Sequence, residues 1–121
     1  MSITQRLETI RRRMRIACER SGRDPSSVQL VAVSKSRPVE DLLQAWNAGQ
    51  RRFGESRVQE ARDKVPALPR DTIHWHLIGP LQKNKVRDAA RLFHLVESVD
   101  SLELAAALSA RRTPEDPLEV L

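Results

Sequence analysis

Hydrophobic residues recur at helical spacing near the start of the chain. Ser2 and Gln5 have the spacing of a capping box, and apolar residues follow at intervals of three and four until Gly22. A glycine after such a stretch is typical of a helix C-terminus, because glycine readily adopts the left-handed conformation that ends a helix. The pattern predicts an N-terminal helix within residues 1–23.

Short apolar runs and helical stretches alternate along the rest of the chain. The runs predict strands at 28–33, 52–55, 73–78, 93–99 and 118–121. Helices are predicted to begin near Pro38, Ser56, Gln82 and Asp100, and Ser56 with Gln59 has the spacing of a second capping box. Alternation with short connections is typical of a parallel α/β sheet or barrel. We therefore predict β/α units over residues 28–121.

Composition narrows the class of protein. Hydrophobic residues make up 40% of the 121 residues and charged residues 31%, as in a globular protein of one domain. No apolar stretch approaches the ~18 residues that span a bilayer, and the N-terminus carries charge where a signal peptide has an apolar run. We expect a cytoplasmic protein with no membrane partner. Cys18 is the only cysteine, which excludes an intrachain disulfide.

The net charge of +5 raises nucleic acid as a partner, because Lys and Arg side chains release counterions from phosphates. The basic residues are dispersed, however, and the densest run, Arg11 to Arg13, lies on a helix whose other face is apolar. Aromatic residues make up 3% of the chain, which leaves few rings for stacking on bases. Nucleic acid is therefore not the partner that we expect.

Lys35 is the strongest candidate for chemistry. In a parallel barrel the C-terminal ends of the strands form the functional mouth, and Lys35 follows directly after a predicted strand. It shares a strand face with Val31 and Val33, and apolar neighbours favour the neutral amine that attacks an aldehyde. A lysine followed by Ser-Arg-Pro is also typical of a solvated loop, so the residue alone leaves both interpretations open.

Other candidate sites are weaker. His74 and His76 lie on one strand face, as two metal ligands would, but no third ligand is evident and packing inside a barrel is the favoured interpretation. Gly79-Pro80 followed by 82–85 would suit an anion at a helix start, or an ordinary helix start. The chain lacks a phosphate-loop glycine pattern and a nucleophile elbow. We predict no metal.

Four blocks make the sequence recognisable: LVAVSKSRP at 30–38, RFGESRVQEA at 52–61, WHLIGPLQKNKV at 75–86 and ESVDSLELA at 97–105. In order and spacing they resemble successive blocks of the pyridoxal phosphate homeostasis family (YggS-like). The resemblance implies an α/β fold, the N-terminal part of a TIM (β/α)8 barrel of the alanine racemase type, truncated at about strand five. Residues 1–121 are then a single partial barrel domain.

The resemblance also implies a function. Pyridoxal 5'-phosphate is expected as the cofactor, held as an aldimine on Lys35, with Ser56 and His76 as further cofactor contacts. The family usually has Asn-Tyr where this chain has Ser56-Arg57, which shortens one cofactor neighbour. The implied role is non-catalytic and lies in intracellular pyridoxal phosphate homeostasis, so we predict no catalytic residue.

Two alternatives stay open. The same lysine and strand order suit a pyridoxal-phosphate-dependent racemase or decarboxylase on a related barrel. A truncated half-barrel also suits an interaction module that forms oligomers or binds nucleic acid. A barrel opened at half its circumference has two unpaired strand edges and an apolar interior, so we expect self-association through the open edges.

Overall fold

Helices and strands alternate in the computed structural model, which describes residues 1–121 apart from the side chain of Arg70. The helices are α1 (Ile3–Arg20), α2 (Val39–Asn47), α3 (Val58–Lys64), α4 (Val86–Leu92) and α5 (Leu102–Ser109). The strands are β1 (Ala32–Val33), β2 (Arg52–Glu55), β3 (His74–Leu77), β4 (Leu95–Val96) and β5 (Glu119–Val120). Short 3-10 turns lie at Pro25–Ser27, Val65–Ala67, Arg70–Thr72 and Lys83–Lys85.

The ends of α1 follow the sequence pattern. The Ser2 hydroxyl accepts from the Gln5 N–H at 3.1 Å, and the Gln5 side chain accepts from the Ser2 N–H at 2.9 Å, which forms the predicted capping box. At the other end Gly22 has a φ of 71°, and the Arg23 N–H donates to the Cys18 carbonyl at 2.8 Å. The predicted N-terminal helix is confirmed.

Two predicted helix starts are wrong by one residue. The N-cap of α3 is Arg57 rather than Ser56, and no side chain caps that helix. The N-cap of α5 is Ser101 rather than Asp100, because the extended backbone of Ser101 lets its hydroxyl accept from the Leu104 N–H at 3.0 Å. Ser56 therefore does not cap α3 and lies in the connection between β2 and α3.

The strands form one parallel sheet in the order β1-β2-β3-β4-β5, so each strand pairs with the next along the chain. Four strands are shorter than predicted, and only β2 has the predicted length. The difference is largest in β1 and β4, because the run 28–33 pairs only at Ala32–Val33 and the run 93–99 only at Leu95–Val96. Sequential parallel order with crossover helices is the arrangement of the N-terminal part of a (β/α)8 barrel. The predicted fold class is confirmed.

Side chains alternate between two faces of this sheet. Phe53, Trp75, Leu77 and Val96 face the helices and form the core with apolar residues of α2 to α5. The opposite face, called the inner face below, carries Val33, Arg52, Gly54, His74 and His76, which occupy matching register positions on β1 to β3. In the described part of the chain, no helix has the length and apolar character needed to cross a bilayer.

Candidate functional site

Lys35 lies in a tight turn at the C-terminal end of β1. The Ser34 N–H extends the ladder to β2 by donating to the Gly54 carbonyl at 2.9 Å, and the Arg37 N–H closes the turn by donating to the Ser34 carbonyl at 3.1 Å. Ser36 has a φ of 61°, the only positive φ of a non-glycine residue in the described chain. The side chain of Lys35 is exposed, so its amine is accessible at the end of the strand.

Below Lys35 the inner face offers an apolar surface. Val33 is 54% exposed, which is unusual for valine in a strand that is paired on one side. Gly54 lies opposite Val33, and a Cβ built on Gly54 would be 3.2 Å from both Val31 Cγ1 and Ile78 Cγ2. The side chains of Val31 and Ile78 therefore pack closely over Gly54, and a Cβ at this position would crowd both of them.

The connections after β2 and β3 meet at the same edge of the sheet. A Cβ on Gly79 would be 2.2 Å from the Ser56 carbonyl oxygen, so only glycine permits this approach. A cavity of about 470 Å³ opens between the two connections, lined by Ser56, Arg57, Val58, Gln59, Pro80, Leu81, Gln82 and Lys85. The predicted contact residue Ser56 thus lies at the barrel mouth.

A group of polar side chains, called the turn network below, supports the Lys35 turn from the helix side: Ser34, Glu55, Glu60 and Lys64. The Ser34 hydroxyl donates to the Glu55 carboxylate, and Lys64 Nζ donates to the Ser34 carbonyl at 2.7 Å and to the two Glu55 oxygens at 3.2 and 3.1 Å. Glu55 is 0% exposed and Lys64 is 7% exposed. Burial raises the pKa of Glu55, while hydrogen bonds from Ser34 and Lys64 act in the opposite direction.

Glu60 completes the turn network at its outer side. Its Oε2 accepts from the Ser36 N–H at 2.5 Å and from Lys64 Nζ at 2.5 Å. The hydrogen bond from Lys64 is the main cause that lowers the pKa of Glu60, and the Ser36 N–H adds to it. The sequence places Glu55 at a strand end but does not reveal its role, and Glu60 and Lys64 were not predicted as site residues. The i,i+4 spacing of Glu60 and Lys64 on one helix is a signal of an ion pair.

His76 lies in a second polar group, on the inner face, together with Arg52, His74 and Glu97. Arg52 Nη1 lies 3.3 Å from His74 Nδ1 and 3.2 Å from His76 Nε2, and the two histidine nitrogens are 3.0 Å apart. His76 Nδ1 lies 3.0 Å from Glu97 Oε2. No hydrogen bond or ion pair joins His76 to Lys35 among the residues that the structure describes.

This inner-face group changes the expected character of the barrel interior. Burial, with the neighbouring Arg52 charge as the second cause, lowers the pKa of His74 to about 4. His76 is buried, and its ring is bounded by charged side chains on both sides. The expectation of an apolar interior is wrong for β2 to β4, because Arg52 and both histidines point to this face. Within the described residues, no group of three His, Cys, Asp or Glu side chains is arranged to hold a metal ion.

Comparison with known proteins supplies the family. The family model described as "Alanine racemase, N-terminal domain" matches residues 5–121. The chain belongs to this family. Its curated relatives include the pyridoxal phosphate homeostasis proteins of Vibrio alginolyticus and Vibrio cholerae serotype O1, which are 45% and 46% identical. Each alignment covers 99% of this chain but 54% and 53% of the relative, so the chain spans about half the length of these family members.

A solved family member extends the comparison to structure. PipY of Synechococcus elongatus PCC7942, solved with PLP bound, has a TM-score of 0.75 to this chain at 42% identity. The match covers 91% of this chain and 48% of PipY. The resemblance to pyridoxal phosphate homeostasis proteins that the four sequence blocks carry is confirmed by these relatives.

Proposed function

We propose that this chain binds pyridoxal 5'-phosphate through Lys35 and contributes to pyridoxal phosphate homeostasis. The observation that carries the proposal is the position of Lys35: an exposed amine on a hydrogen-bonded turn at the C-terminal end of β1, beside the exposed Val33. In a parallel barrel this end of the strands is where ligands bind. Further support comes from relatives named for pyridoxal phosphate homeostasis and from PipY, solved with PLP bound.

The described residues fit two chemical parts of this cofactor, the aldehyde and the ring. Pyridoxal phosphate supplies an aldehyde that reacts with a neutral amine, an aromatic ring and a phosphate. Lys35 offers the amine, and the exposed side chain of Val33 offers apolar surface against which a ring can lie. Pyridoxal phosphate is therefore compatible with this edge of the sheet.

Ser56 and His76 take different parts in the proposal. Ser56 lines the mouth cavity and has a hydroxyl that can donate to an acceptor on the cofactor. Both ring nitrogens of His76 already lie within hydrogen-bond distance of Arg52 and Glu97. We therefore expect His76 to shape the site from its base and Ser56 to make the direct polar contact.

A carrier role, without amino-acid racemisation, is part of the proposal. The relatives carry the name of homeostasis proteins, which favours cofactor storage or delivery over turnover of amino acids. Racemisation of free alanine by the protein loaded with cofactor, lost in Lys35→Ala, would contradict this part. A cytoplasmic location belongs to the same proposal, and cell fractionation tests it.

Covalent trapping tests the role of Lys35. The purified protein is mixed with pyridoxal phosphate and reduced with borohydride, and the modified residue is mapped by mass spectrometry. We expect one adduct per chain on Lys35 and its loss in Lys35→Ala. Lys83→Ala is the matched control, since Lys83 is an exposed lysine paired with Glu103. Modification spread evenly over the lysines, or undiminished in Lys35→Ala, would overturn the proposal.

A further inference from the structure

The two residues that flank Lys35 are both held by side chains of α3. Lys64 Nζ donates to the Ser34 carbonyl at 2.7 Å, and Glu60 Oε2 accepts from the Ser36 N–H at 2.5 Å. Glu60 and Lys64 are in turn hydrogen-bonded to each other. The backbone on each side of Lys35 is therefore attached to one ion pair on one helix.

The conformation of the turn needs such support. Ser36 has a φ of 61°, in a region that residues other than glycine rarely adopt. Its N–H donates to the Glu60 carboxylate, so the hydrogen bond to a charged acceptor offsets part of the cost of this conformation. Without Glu60, the described chain offers the Ser36 N–H no other acceptor.

The buried ion pair between Lys64 and Glu55 is weak evidence of a stabilising role. Burying Lys64 against Glu55 costs desolvation of both charges, and apolar residues in place of a buried ion pair are often as stable. What apolar residues lack is the set of directional hydrogen bonds to the Ser34 carbonyl and the Ser36 N–H. Charged side chains at positions 60 and 64 therefore contribute to the geometry of the turn, which apolar side chains cannot do.

We propose that Glu60 and Lys64 are positioning residues, which hold the Lys35 turn in one backbone conformation and so aim the Lys35 amine at its aldehyde partner. The inference rests on the proposed function, since Lys35 must be the reacting amine. In the described chain no hydrogen bond or ion pair joins either residue to Lys35, so both are inferred to act through the backbone of Ser34 and Ser36. Loss of Glu60 is expected to loosen the turn and slow the reaction of Lys35 without moving the core.

Amide hydrogen exchange, followed by NMR, measures how well the turn is held, and it needs no cofactor. In Glu60→Ala the Ser36 amide should exchange at least about tenfold faster, because it loses its acceptor, while the amides of Phe53 and Trp75 keep their wild-type rates. In Glu60→Gln the amide oxygen still accepts from Ser36, so an intermediate rate is expected. This second variant also serves if Glu60→Ala does not fold. Unchanged Ser36 exchange in the folded variants would overturn the inference.

The rate of borohydride-trapped modification at Lys35 is measured in parallel with pyridoxal phosphate and with phosphate-free pyridoxal. A decrease of about tenfold is expected in Glu60→Ala with both aldehydes, because misplacing a reacting group slows its reaction. Glu40→Ala removes the same charge from the exposed start of α2 and should react as wild type. Equal rates in Glu60→Ala and wild type, despite faster Ser36 exchange, would also overturn the inference. If wild type forms no Lys35 adduct, the proposed function fails, and the Ser36 exchange alone decides whether Glu60 holds the turn.

Discussion

At the barrel mouth, the packing of Gly79 depends on its having no side chain. Its α-carbon lies so close to the β2–α3 connection that a Cβ would stand 2.2 Å from the Ser56 carbonyl oxygen. Backbone atoms are on both sides of this contact, so no flexible side chain can move aside. The close approach holds the connections after β2 and β3 together, where Ser56 lines the mouth cavity.

Gly79→Ala should therefore lower the free energy of unfolding by about 2–3 kcal/mol, since forced overlap displaces the backbone. Gly22→Ala is the matched control. Gly22 also requires glycine, because its φ is 71°, but a Cβ there meets nothing within 4 Å. That substitution should cost only about 1 kcal/mol, from conformation alone. Urea unfolding of both variants makes the comparison, and equal losses would contradict the overlap at Ser56.

At this scale the sequence predicted Lys35 but missed the residues that support it. The place of Lys35 at a strand end was predicted from its own strand, because it follows a valine-rich run. Its cofactor role rests on the family resemblance and stays a prediction. The roles of Glu55, Glu60 and Lys64 depend on how closely β1, β2 and α3 approach. In the sequence, Glu60 and Lys64 have the spacing of an ordinary surface pair on a helix. Nothing in that spacing reveals that Lys64 is buried beneath the Ser34 carbonyl.

At the scale of elements, the inner-face group joins three strands through side chains. Arg52 lies on β2, His74 and His76 on β3, and Glu97 follows β4. His74 also lies 3.7 Å from Glu119 of β5 and stacks on His94. Protonation of His74 is therefore expected to affect its contacts with Arg52, His76 and Glu119, which lie on β2, β3 and β5.

The contribution of His74 to stability should fall as the pH is lowered from 7 to 5, whereas Glu55, whose pKa is raised by burial, acts in the opposite direction. The pKa of His74 is about 4 in the folded chain and ordinarily 6.5, so the unfolded chain binds more protons between these values. Stability from neutral His74 is fully present above pH 6.5 and is lost as the pH falls towards 4. Measurement above pH 5 avoids most of the titration of Glu60, whose pKa lies below its ordinary 4.5.

The check is the urea midpoint of unfolding at pH 7 and pH 5 for wild type and His74→Gln. Glutamine keeps a polar group near Arg52 but binds no proton, so the variant should lose less stability over this range. An equal pH dependence in the two proteins would rule out His74 as the cause.

The elements themselves were predicted well where the signal is local. Ser2 and Gln5 satisfy each other within one helical turn, so their spacing alone predicts the start of α1. Ser56 has the same spacing to Gln59, yet it is not a cap, because the chain stays extended through Arg57 before α3 begins. The strands β1 and β4 are shorter than their apolar runs, since pairing requires a neighbour at each position as well as a suitable residue.

At the scale of the whole molecule, the two outer strands of the sheet are the places where a second chain could pair. β1 and β5 each have one paired side, and the last residues are apolar and open, with Val120 45% exposed and Leu121 71% exposed. An exposed apolar strand edge is a template for pairing with another chain. Self-association through these edges therefore stays our prediction.

Val120→Lys should shift the chain towards the monomer, because a charge on an edge strand opposes pairing with a second copy. Leu43→Lys is the control, since Leu43 is 37% exposed on α2 and lies on neither edge strand. Light scattering over a range of protein concentrations reads the mass of both variants. Concentration-dependent association that persists in Val120→Lys, or a monomeric wild type, would contradict the role of the β5 edge.

The sheet order has a further consequence for the time course of folding. Each strand pairs with the strand that precedes it in the chain, so no unit needs a distant partner to bury its core side chains. Chains with short-range contacts close small loops and fold fast, and domains fold from the N-terminus as they are synthesised. Each β/α unit can therefore pack on its predecessor as it leaves the ribosome. Because Lys35 and its supporting residues Glu55, Glu60 and Lys64 all lie within the first two units, the supported Lys35 turn can form before β3 packs onto β2.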